Sequence, residues 1–310
     1  KYNDCAIKNN IPFLDESRID NYSIKFKEIL NNLKKSKGLS LIISRFVKSG
    51  ALPLALFLEQ NGYMRHVWDG EDQLLENTYK KTYRCYNCEC KNIDKIHNDP
   101  KVKGYHQFKV AKYVILTSSM QDFVKVKISD AVSKFSSNKN KNGEQIKIII
   151  GTEVIKEGID FKNIRQLFLL DMWYNKSWYR QIIGRGLRYC SHIGLEKESR
   201  NVSIYNLSTT FKNSKNKKLK EMESEDIRRY RISEIKDYKN KKVEHILKKG
   251  AIDCIQNKNK NIINFDKKIN QINSIGEKFN FTMKDIPFSP ECDYMDDCDY
   301  KCVWEPSKQI

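Results

Sequence analysis

A series of short apolar segments between residues 147 and 207 restricts the fold of this chain more than any other feature. An apolar run at 147–150 ends in Gly-Thr, a second run follows at 166–171, and a third lies at 202–207. Each run has the length of a buried strand, and the connections are short. This alternation is typical of a parallel α/β sheet, which binds its ligands at the carboxyl ends of the strands.

Further segments complete the predicted organisation. We expect a strand at 112–118 and a helix at 122–135, and residues 64–110 to form an excursion that interrupts the sheet. We therefore predict a lead-in at 1–19, an α/β domain at 20–210 and a mainly helical, Cys-containing extension at 211–310. Within that extension, residues 225–249 predict a charged helix whose apolar side chains pack against the core.

The segment Gln181–Arg188 has the pattern Q-x-x-G-R-x-x-R. On one predicted helix Arg185 and Arg188 share a face, and the guanidinium fork of arginine matches phosphate oxygens bidentately. Gly184 and Gly186 weaken a helix by about 1 kcal/mol each relative to Ala, which indicates close approach of a backbone or a ligand. An isolated arginine pair would be explained by a basic surface helix, so the surrounding motifs decide.

These motifs, in this order, resemble those of superfamily 2 helicases and translocases. The segment 151–160 is similar to motif V, Gln181–Arg188 to motif VI, and 39–63 to the motif IV strand and its helix. The resemblance covers roughly residues 20–305. It is strongest to helicases of large cytoplasmic DNA viruses, of the poxvirus early transcription factor small subunit type, and of cytoplasmic linear plasmids. It implies a RecA-like parallel sheet with helices on both faces.

The resemblance also implies roles for individual residues. ATP and Mg²⁺ would lie between two RecA-like domains, with Arg185 and Arg188 as arginine fingers and Gln181 sensing the phosphate or the attacking water. Asp160 would hold a ribose hydroxyl or one of the arginines. The nucleotide side would be lined by Gly158, Asp160 and Gly184.

A nucleic-acid track is implied at the strand ends. Motif V, through Thr152 and Glu153, would couple the nucleotide cleft to this track. For Thr117 and Ser118 an ordinary helix-capping role of the hydroxyls explains the sequence equally well. The candidate track residues are Ser44, Arg45, Thr117, Ser118, Thr152 and Glu153.

Two elements of a complete nucleotide-hydrolysing site are absent from the sequence. There is no Gly-rich loop ending in Gly-Lys-Ser/Thr and no acidic pair after a buried strand to hold magnesium. We therefore expect the second RecA-like half of an ATP-dependent helicase or translocase, inactive without its first half. The expected partners are that first domain and a nucleic acid, for which we expect DNA rather than RNA. The transcription or replication machinery of a virus or plasmid is a further expected partner.

The charge of the chain favours a polyanionic partner. The net charge is +18 and the pI is near 9.3, which suits binding to a phosphate backbone. The alternative is compositional bias, because abundant Lys, Asn and Ile are what an AT-rich genome produces. The sequence shows no long apolar run and no leader pattern. We therefore expect an intracellular, soluble protein without a membrane partner, in the host cytoplasm or virion if it is viral.

Two groups of cysteines and histidines predict Zn²⁺ sites. In the excursion, a Cys-x-x-Cys pair is followed by two histidines, with Cys90 as an ambiguous extra thiol; the alternative is unpaired cysteines and ordinary surface histidines. At the C-terminal end, disulfides are the alternative, which the absence of a secretion signal and the odd total of nine cysteines disfavour. The two predicted ligand sets are Cys85, Cys88, His97 and His106, and Cys254, Cys292, Cys298 and Cys302.

Two functions from other classes remain open. The chain could be a RecA-like half that has lost catalysis and contacts promoter DNA as a transcription-factor subunit, although Gln181, Arg185 and Arg188 speak against this. It could also be a zinc-stapled adaptor in which the arginine helix is a relic. An ATPase assay of the complete protein distinguishes the first alternative from an enzyme.

Overall fold

The structure is a computed structural model, and it describes residues 12–67, 73–75, 82–117, 127–156, 158–211, 215, 222–272 and 276–304. The chain forms two compact units, the first comprising residues up to 172 with 178–227, and the second comprising 173–177 with 228 onward. The first unit thus extends beyond the predicted boundary at 210. Asp226 explains part of this, since its carboxylate pairs with Lys25 at 2.7 Å and accepts a hydrogen bond from the Thr209 backbone at 2.9 Å.

A parallel sheet of six strands forms the centre of the first unit. The strand order is β2-β3-β4-β1-β5-β6, and every neighbouring pair is parallel. This confirms the predicted α/β, RecA-like fold. The strands are β1 (Leu39–Ile43), β2 (Met64–Arg65), β3 (Lys112–Leu116), β4 (Ile148–Gly151), β5 (Ile164–Leu169) and β6 (Ser203–Asn206).

The two central strands, β1 and β4, are buried along their whole length because both faces of the sheet are covered. On one face, Ile148, Ile150 and Phe168 join a cluster with the apolar side chains of the first two helices. On the other face, Leu41 and Ile149 are also fully buried. Continuous apolar runs are what buried parallel strands require. The helices of this unit are α1 (Ile24–Lys35), α2 (Leu52–Gln60), α3 (Lys95–Asn98), α4 (Ile128–Phe135) and α5 (Lys176–Gly186).

Three predicted boundaries differ from the structure. Met64 belongs to the sheet and pairs with Lys112 of β3, so the excursion begins after β2 rather than at residue 64. The described part of α4 begins at Ile128, and residues 118–126 of the predicted strand end and helix lie outside the described residues. Helix α5 ends at Gly186, so Arg188 lies beyond it and not on the same helix as Arg185.

The second unit is built from two helices and a hairpin. They are α6 (Glu225–Gly250), α7 (Cys254–Asn261) and the antiparallel strands β7 (Asn264–Ile272) and β8 (Lys278–Lys284). Helix α6 has nearly the predicted length, but its apolar side chains do not pack as predicted. Ile235 and Leu247 are 44% and 66% exposed, whereas Ser233 and Asp237 are buried. The buried Asp237 accepts a hydrogen bond from Tyr294 at 2.6 Å, so a polar contact takes the place of an apolar one.

The C-terminal cysteines correct one prediction. Cys254 is bonded to Cys302, and Cys292 to Cys298, instead of forming a zinc site of four thiolates. A sulfur in a disulfide has no thiolate to offer a metal, so the four-ligand set does not exist in this structure. None of the described helices is both long enough and apolar enough to span a membrane.

Candidate nucleotide and nucleic-acid site

Polar residues follow four neighbouring strands at one edge of the sheet. Ser44 follows β1, Thr117 follows β3, Thr152 follows β4, and Asp171 comes two residues after β5. Parallel pairing aligns these strand ends, as shown by the hydrogen bonds from Ser44 N to Gly151 O at 3.0 Å and from Thr152 N to Leu116 O at 3.0 Å. The sheet therefore brings the predicted motif IV and motif V residues together at its carboxyl edge.

Asp171 organises the end of β1. Its Oδ2 accepts hydrogen bonds from Ser44 Oγ at 2.6 Å and from the Arg45 backbone N–H at 3.0 Å. Ser44 is fully buried, and Gly50 lies against it so closely that a Cβ on Gly50 would come within 2.0 Å of Ser44 Oγ. The Ser44 hydroxyl therefore shapes the loop after β1 and does not face a nucleic acid in this conformation.

The hydroxyl of Thr152 is likewise used within the sheet. Thr152 Oγ1 donates to Leu116 O at 3.2 Å, and Thr152 and Thr117 are 5% and 3% exposed. Both side chains are therefore largely covered in this conformation, and the predicted places of Thr117 and Thr152 in the nucleic-acid track stay predictions. Ser118 lies outside the described residues.

Arg45 connects three parts of this edge. Its guanidinium pairs with the Glu153 carboxylate and lies 5.7 Å from the centre of the Trp178 ring, within the range of a cation–π contact. Glu153 lies in the 3₁₀ turn Glu153–Lys156 after β4, and Trp178 lies in α5. Glu153 is half exposed and negatively charged. Its carboxylate would repel a phosphate but can hold the Arg45 guanidinium in place.

The glycine at the end of β4 is required by packing. A Cβ on Gly151 would lie 1.5 Å from Cδ1 of Ile155, which is fully buried beneath the turn. Any side chain at residue 151 would force Ile155 into another side-chain conformation or displace the turn that carries it. The Gly-Thr-Glu order therefore has a structural cause in addition to its place in the motif.

The two predicted arginine fingers meet on one carboxylate. Arg185 Nη1 lies 3.4 Å from Asp160 Oδ1, and Arg188 Nη1 lies 2.5 Å from Asp160 Oδ2. Backbone hydrogen bonds hold this arrangement, since the Phe161 N–H donates to the Arg185 carbonyl at 3.1 Å. Gly158 has a φ of +67°, which glycine adopts without strain, and it precedes Asp160 in the loop. Arg188 thus joins Arg185 through Asp160 although it lies past the end of α5.

The remaining predicted nucleotide residues lie on the exposed side of α5. Gly184 and Arg185 come three and four residues after Gln181 and lie on its side of the helix, where Gln181 and Gly184 are exposed. Ile182 is buried on the other side of the helix. Among the described residues, no atom lies within 4 Å of a Cβ built on Gly184, whereas one on Gly186 would come within 3.3 Å of Ile164 Cδ1. Gly186 is thus closely packed against a side chain, and the predicted approach of a backbone or a ligand stays a prediction.

The excursion brings its predicted zinc ligands together. One donor atom from each of the four side chains lies within 4.8 Å of the other three, and two of the four residues are buried. Cys90 is outside this group, and its Sγ donates to the Cys88 carbonyl at 3.6 Å. The four residues are Cys85, Cys88, His97 and His106.

Two residues of this edge were not predicted from the sequence as site residues. Asp171 comes two residues after a buried strand, close to the position of the motif V residues, and that position could have singled it out. Trp178 has no comparable signal, because an aromatic residue in a helix that covers a sheet is ordinary core. Its role follows from the distance to Arg45 alone.

Together, a doubly covered parallel sheet, polar strand ends and an arginine pair beside them define a RecA-like half of the helicase class. The family described as helicase conserved C-terminal domain matches residues 24–190, which is more than half of the chain. A protein of Acanthamoeba polyphaga mimivirus, named as an ATP-dependent RNA helicase, is 30% identical over 97% of this chain. The chain therefore belongs to the helicase C-terminal domain family.

Other viral relatives agree with this assignment. A protein of Invertebrate iridescent virus 3 named as a helicase is 32% identical over 80% of the chain, and an early transcription factor large subunit homolog of African swine fever virus is 30% identical over 59%. That transcription-factor relative is named for the large subunit, whereas the resemblance from the sequence pointed to the small-subunit type. The chain spans 25%, 22% and 15% of the lengths of the three relatives.

A search of solved structures gives weak likenesses. T4 UvsW is 14% identical with a TM-score of 0.35, over 73% of this chain and 34% of that one. The strand order and the family match carry the assignment of the fold.

Proposed function

We propose that this chain is the second RecA-like half of an ATP-dependent nucleic-acid helicase or translocase, in which Arg185 and Arg188 act on the γ-phosphate of ATP held mainly by a first RecA-like domain. The observation that carries this proposal is the convergence of both guanidinium groups on Asp160. The small share of each viral relative that the chain spans supports a larger enzyme with further domains.

The charges of the arginine cluster suit a polyphosphate. One carboxylate, that of Asp160, faces two guanidinium groups, and both forks are held close together beside it. Asp160 and Arg188 are about half exposed, and exposed ion pairs contribute only about 0–1 kcal/mol. Asp160 can therefore orient the two forks, while an incoming phosphate can replace its contacts at little cost.

Each residue of the cluster has a role in this proposal. Arg185 and Arg188 stabilise the negative charge that develops on the transferred phosphoryl group, and Gln181 orients the phosphate or the attacking water. Gly184 leaves room on the same helix face for the nucleotide to approach. ATP supplies the cleavable phosphoanhydride, and Mg²⁺, held mainly by the first domain, neutralises its oxygens.

The contacts of Arg45 support a coupling between nucleic acid and ATP. Arg45 contacts Glu153 after β4 and the Trp178 ring in α5, and α5 also carries Arg185. A nucleic acid that binds at the strand ends and displaces Arg45 would break the contact between Arg45 and Trp178. Because Trp178 lies in α5, the position of Arg185 in the same helix would change with it. We therefore propose Arg45 as the link between the nucleic-acid track and the arginine cluster, with Ser44, Thr117 and Thr152 as the buried scaffold of the track.

The proposed partner is a nucleic acid bound through its phosphate backbone. The net charge of +18 supports such binding, which weakens steeply as salt concentration rises. DNA was expected from the sequence, while the mimivirus relative is named for RNA. Competition between single-stranded DNA and RNA of equal length for the complete protein, at fixed salt, decides between them.

Two assays test the proposed division of the active site. This chain alone should show no magnesium-dependent ATP hydrolysis, whereas the complete protein should hydrolyse ATP; robust hydrolysis by the chain alone would refute the half-site. In the complete protein, Arg185→Ala and Arg188→Ala are compared for hydrolysis and for nucleotide binding. We expect Arg185→Ala to abolish hydrolysis with binding retained, and retained turnover would move the finger role to Arg188.

A second candidate is a transcription-factor subunit without catalysis. The name of the African swine fever virus relative favours it. Nucleic-acid binding by the complete protein without nucleic-acid-stimulated ATP hydrolysis would support this candidate over the enzyme.

A further inference from the structure

We propose that Cys85, Cys88, His97 and His106 bind one structural zinc ion. This ion holds together the excursion between β2 and β3, which is called the insertion below. Their donor atoms all lie within 4.8 Å of one another. The residues come from three separate parts of the insertion, so their convergence is a property of the folded chain and not of sequence proximity alone.

Two of the distances between ligand atoms match those expected around a tetrahedral ion. Cys85 Sγ lies 3.4 Å from His106 Nε2, and Cys88 Sγ lies 3.4 Å from His97 Nε2. With zinc–sulfur and zinc–nitrogen bonds of about 2.3 and 2.0 Å at a tetrahedral angle, the expected sulfur–nitrogen separation is about 3.5 Å. One thiol–imidazole hydrogen bond would give a similar distance. Two such pairs that converge on a common centre are what a shared ion requires.

The hydrogen bonds of both imidazoles select the tautomer that binds metal. His106 Nδ1 lies 2.8 Å from the Gly104 carbonyl, and His97 Nδ1 lies 3.3 Å from the His106 carbonyl. Because a carbonyl oxygen only accepts, each Nδ1 carries the proton, and the Nε2 lone pair of the neutral ring faces a cysteine sulfur. Such a carbonyl partner on the far nitrogen is the usual support of a zinc-bound histidine.

The described part of the insertion contains little regular structure. Between β2 and β3 its described regular structure consists of α3, with four residues, and the isolated bridges Arg84–Lys91 and Cys85–Val110. Glu89, which lies between Cys88 and Cys90, has a backbone φ of +60°, which is unfavourable for a residue with a side chain. A zinc ion bound by four side chains contributes the stability that such a small segment lacks.

Four protein ligands indicate a structural site rather than a catalytic one. They fill a tetrahedral shell and leave no position for water or substrate. The site also connects to the sheet: the carboxylate of Glu89 pairs with the buried Lys147, and Lys147 Nζ donates to Tyr86 O at 2.6 Å. Lys147 immediately precedes β4, so the closed insertion holds the beginning of the strand that ends at Gly151.

The test measures zinc in the complete protein, purified without added metal, by plasma mass spectrometry. Wild type and Cys90→Ser should contain the same amount, because the Cys90 thiol lies outside the ligand group, while Cys88→Ser should contain one zinc ion fewer per chain. Equal zinc contents in Cys88→Ser and wild type, or a wild-type content near zero, would overturn the proposal.

Cobalt provides a test that needs no variant and applies even if Cys88→Ser fails to fold. Replacement of zinc by Co²⁺ in this chain should give the visible absorption of tetrahedral cobalt and a thiolate-to-cobalt charge-transfer band. X-ray absorption at the metal should show two sulfur and two nitrogen neighbours. An octahedral spectrum, or a shell without sulfur, would contradict the assigned ligands.

Discussion

The ion pair between Lys147 and Glu89 allows a quantitative prediction. Their side chains are 0% and 3% exposed, and Tyr63 Oη also donates to Glu89 Oε2 at 2.5 Å. Burial, together with the adjacent Glu89, raises the pKa of Tyr63, so this phenol remains a donor. Glu89→Gln preserves the size of the side chain and an acceptor for Tyr63, but it removes the negative charge opposite the Lys147 ammonium.

The loss of one partner leaves a buried charge without its counterion, which costs about 3–5 kcal/mol of unfolding free energy. We therefore expect Glu89→Gln, and equally Lys147→Met, to lower the unfolding free energy of the chain by about that amount. The double variant should lose less than the sum, by at least about 2 kcal/mol, because it contains neither buried charge. Urea unfolding followed by circular dichroism measures all three differences.

A surface ion pair provides the control. Lys109 and Glu144 lie 3.0 Å apart with side chains 53% and 38% exposed, so Glu144→Gln should cost less than about 1 kcal/mol. The reasoning would be refuted if Glu89→Gln cost no more than this control, or if the effects of Glu89→Gln and Lys147→Met simply added.

Four other predictions follow from single positions. Gly184→Ala should stabilise the chain by up to about 1 kcal/mol in urea, because the new methyl group meets open space on a helix, and it should slow ATP hydrolysis by the complete protein if nucleotide approaches there. Gly151→Ala should instead destabilise strongly, since its Cβ would lie 1.5 Å from Ile155 Cδ1; equal effects of the two substitutions would contradict the packing described. Burial, and then Lys134 and Lys112, lower the pKa of His66 to about 4 from 6.5, so the unfolded chain binds more protons between these values. Stability should fall as the pH decreases from 6.5 to 4, and His66→Gln should reduce that slope. Asp160→Asn should change the unfolding free energy by less than about 1 kcal/mol but alter hydrolysis by the complete protein, and unchanged hydrolysis would remove the orienting role of Asp160.

The sheet was predictable because its strands are buried on both faces. Continuous apolar runs such as 148–150 are typical of buried strands, and the polar residues after them mark the carboxyl edge. Helix α6 shows where this logic fails. Its apolar positions have helical spacing, but burial depends on what the tertiary structure places beside them, and there the polar Asp237 is the buried residue.

The candidate site was predictable by residue type but not by contact. The motifs identified Arg185, Arg188 and Asp160, yet the end of α5 at Gly186 and the sharing of one carboxylate required coordinates. The cysteines show the same limit. Spacing does not decide whether sulfur atoms face an ion or each other, and the two cysteine groups differ in this structure.

The most direct test of the central proposal is single-turnover ATP hydrolysis by the complete protein with saturating nucleic acid. Arg185→Ala is compared with Arg180→Ala, which removes an exposed arginine of the same helix about 140° around the helix axis from Arg185. An arginine finger is worth about 10³–10⁵-fold in rate. We predict a loss of that size for Arg185→Ala with unchanged ATP affinity, and less than about a threefold change for Arg180→Ala. Equal rates for the two variants would contradict the assignment of Arg185 to the catalytic site.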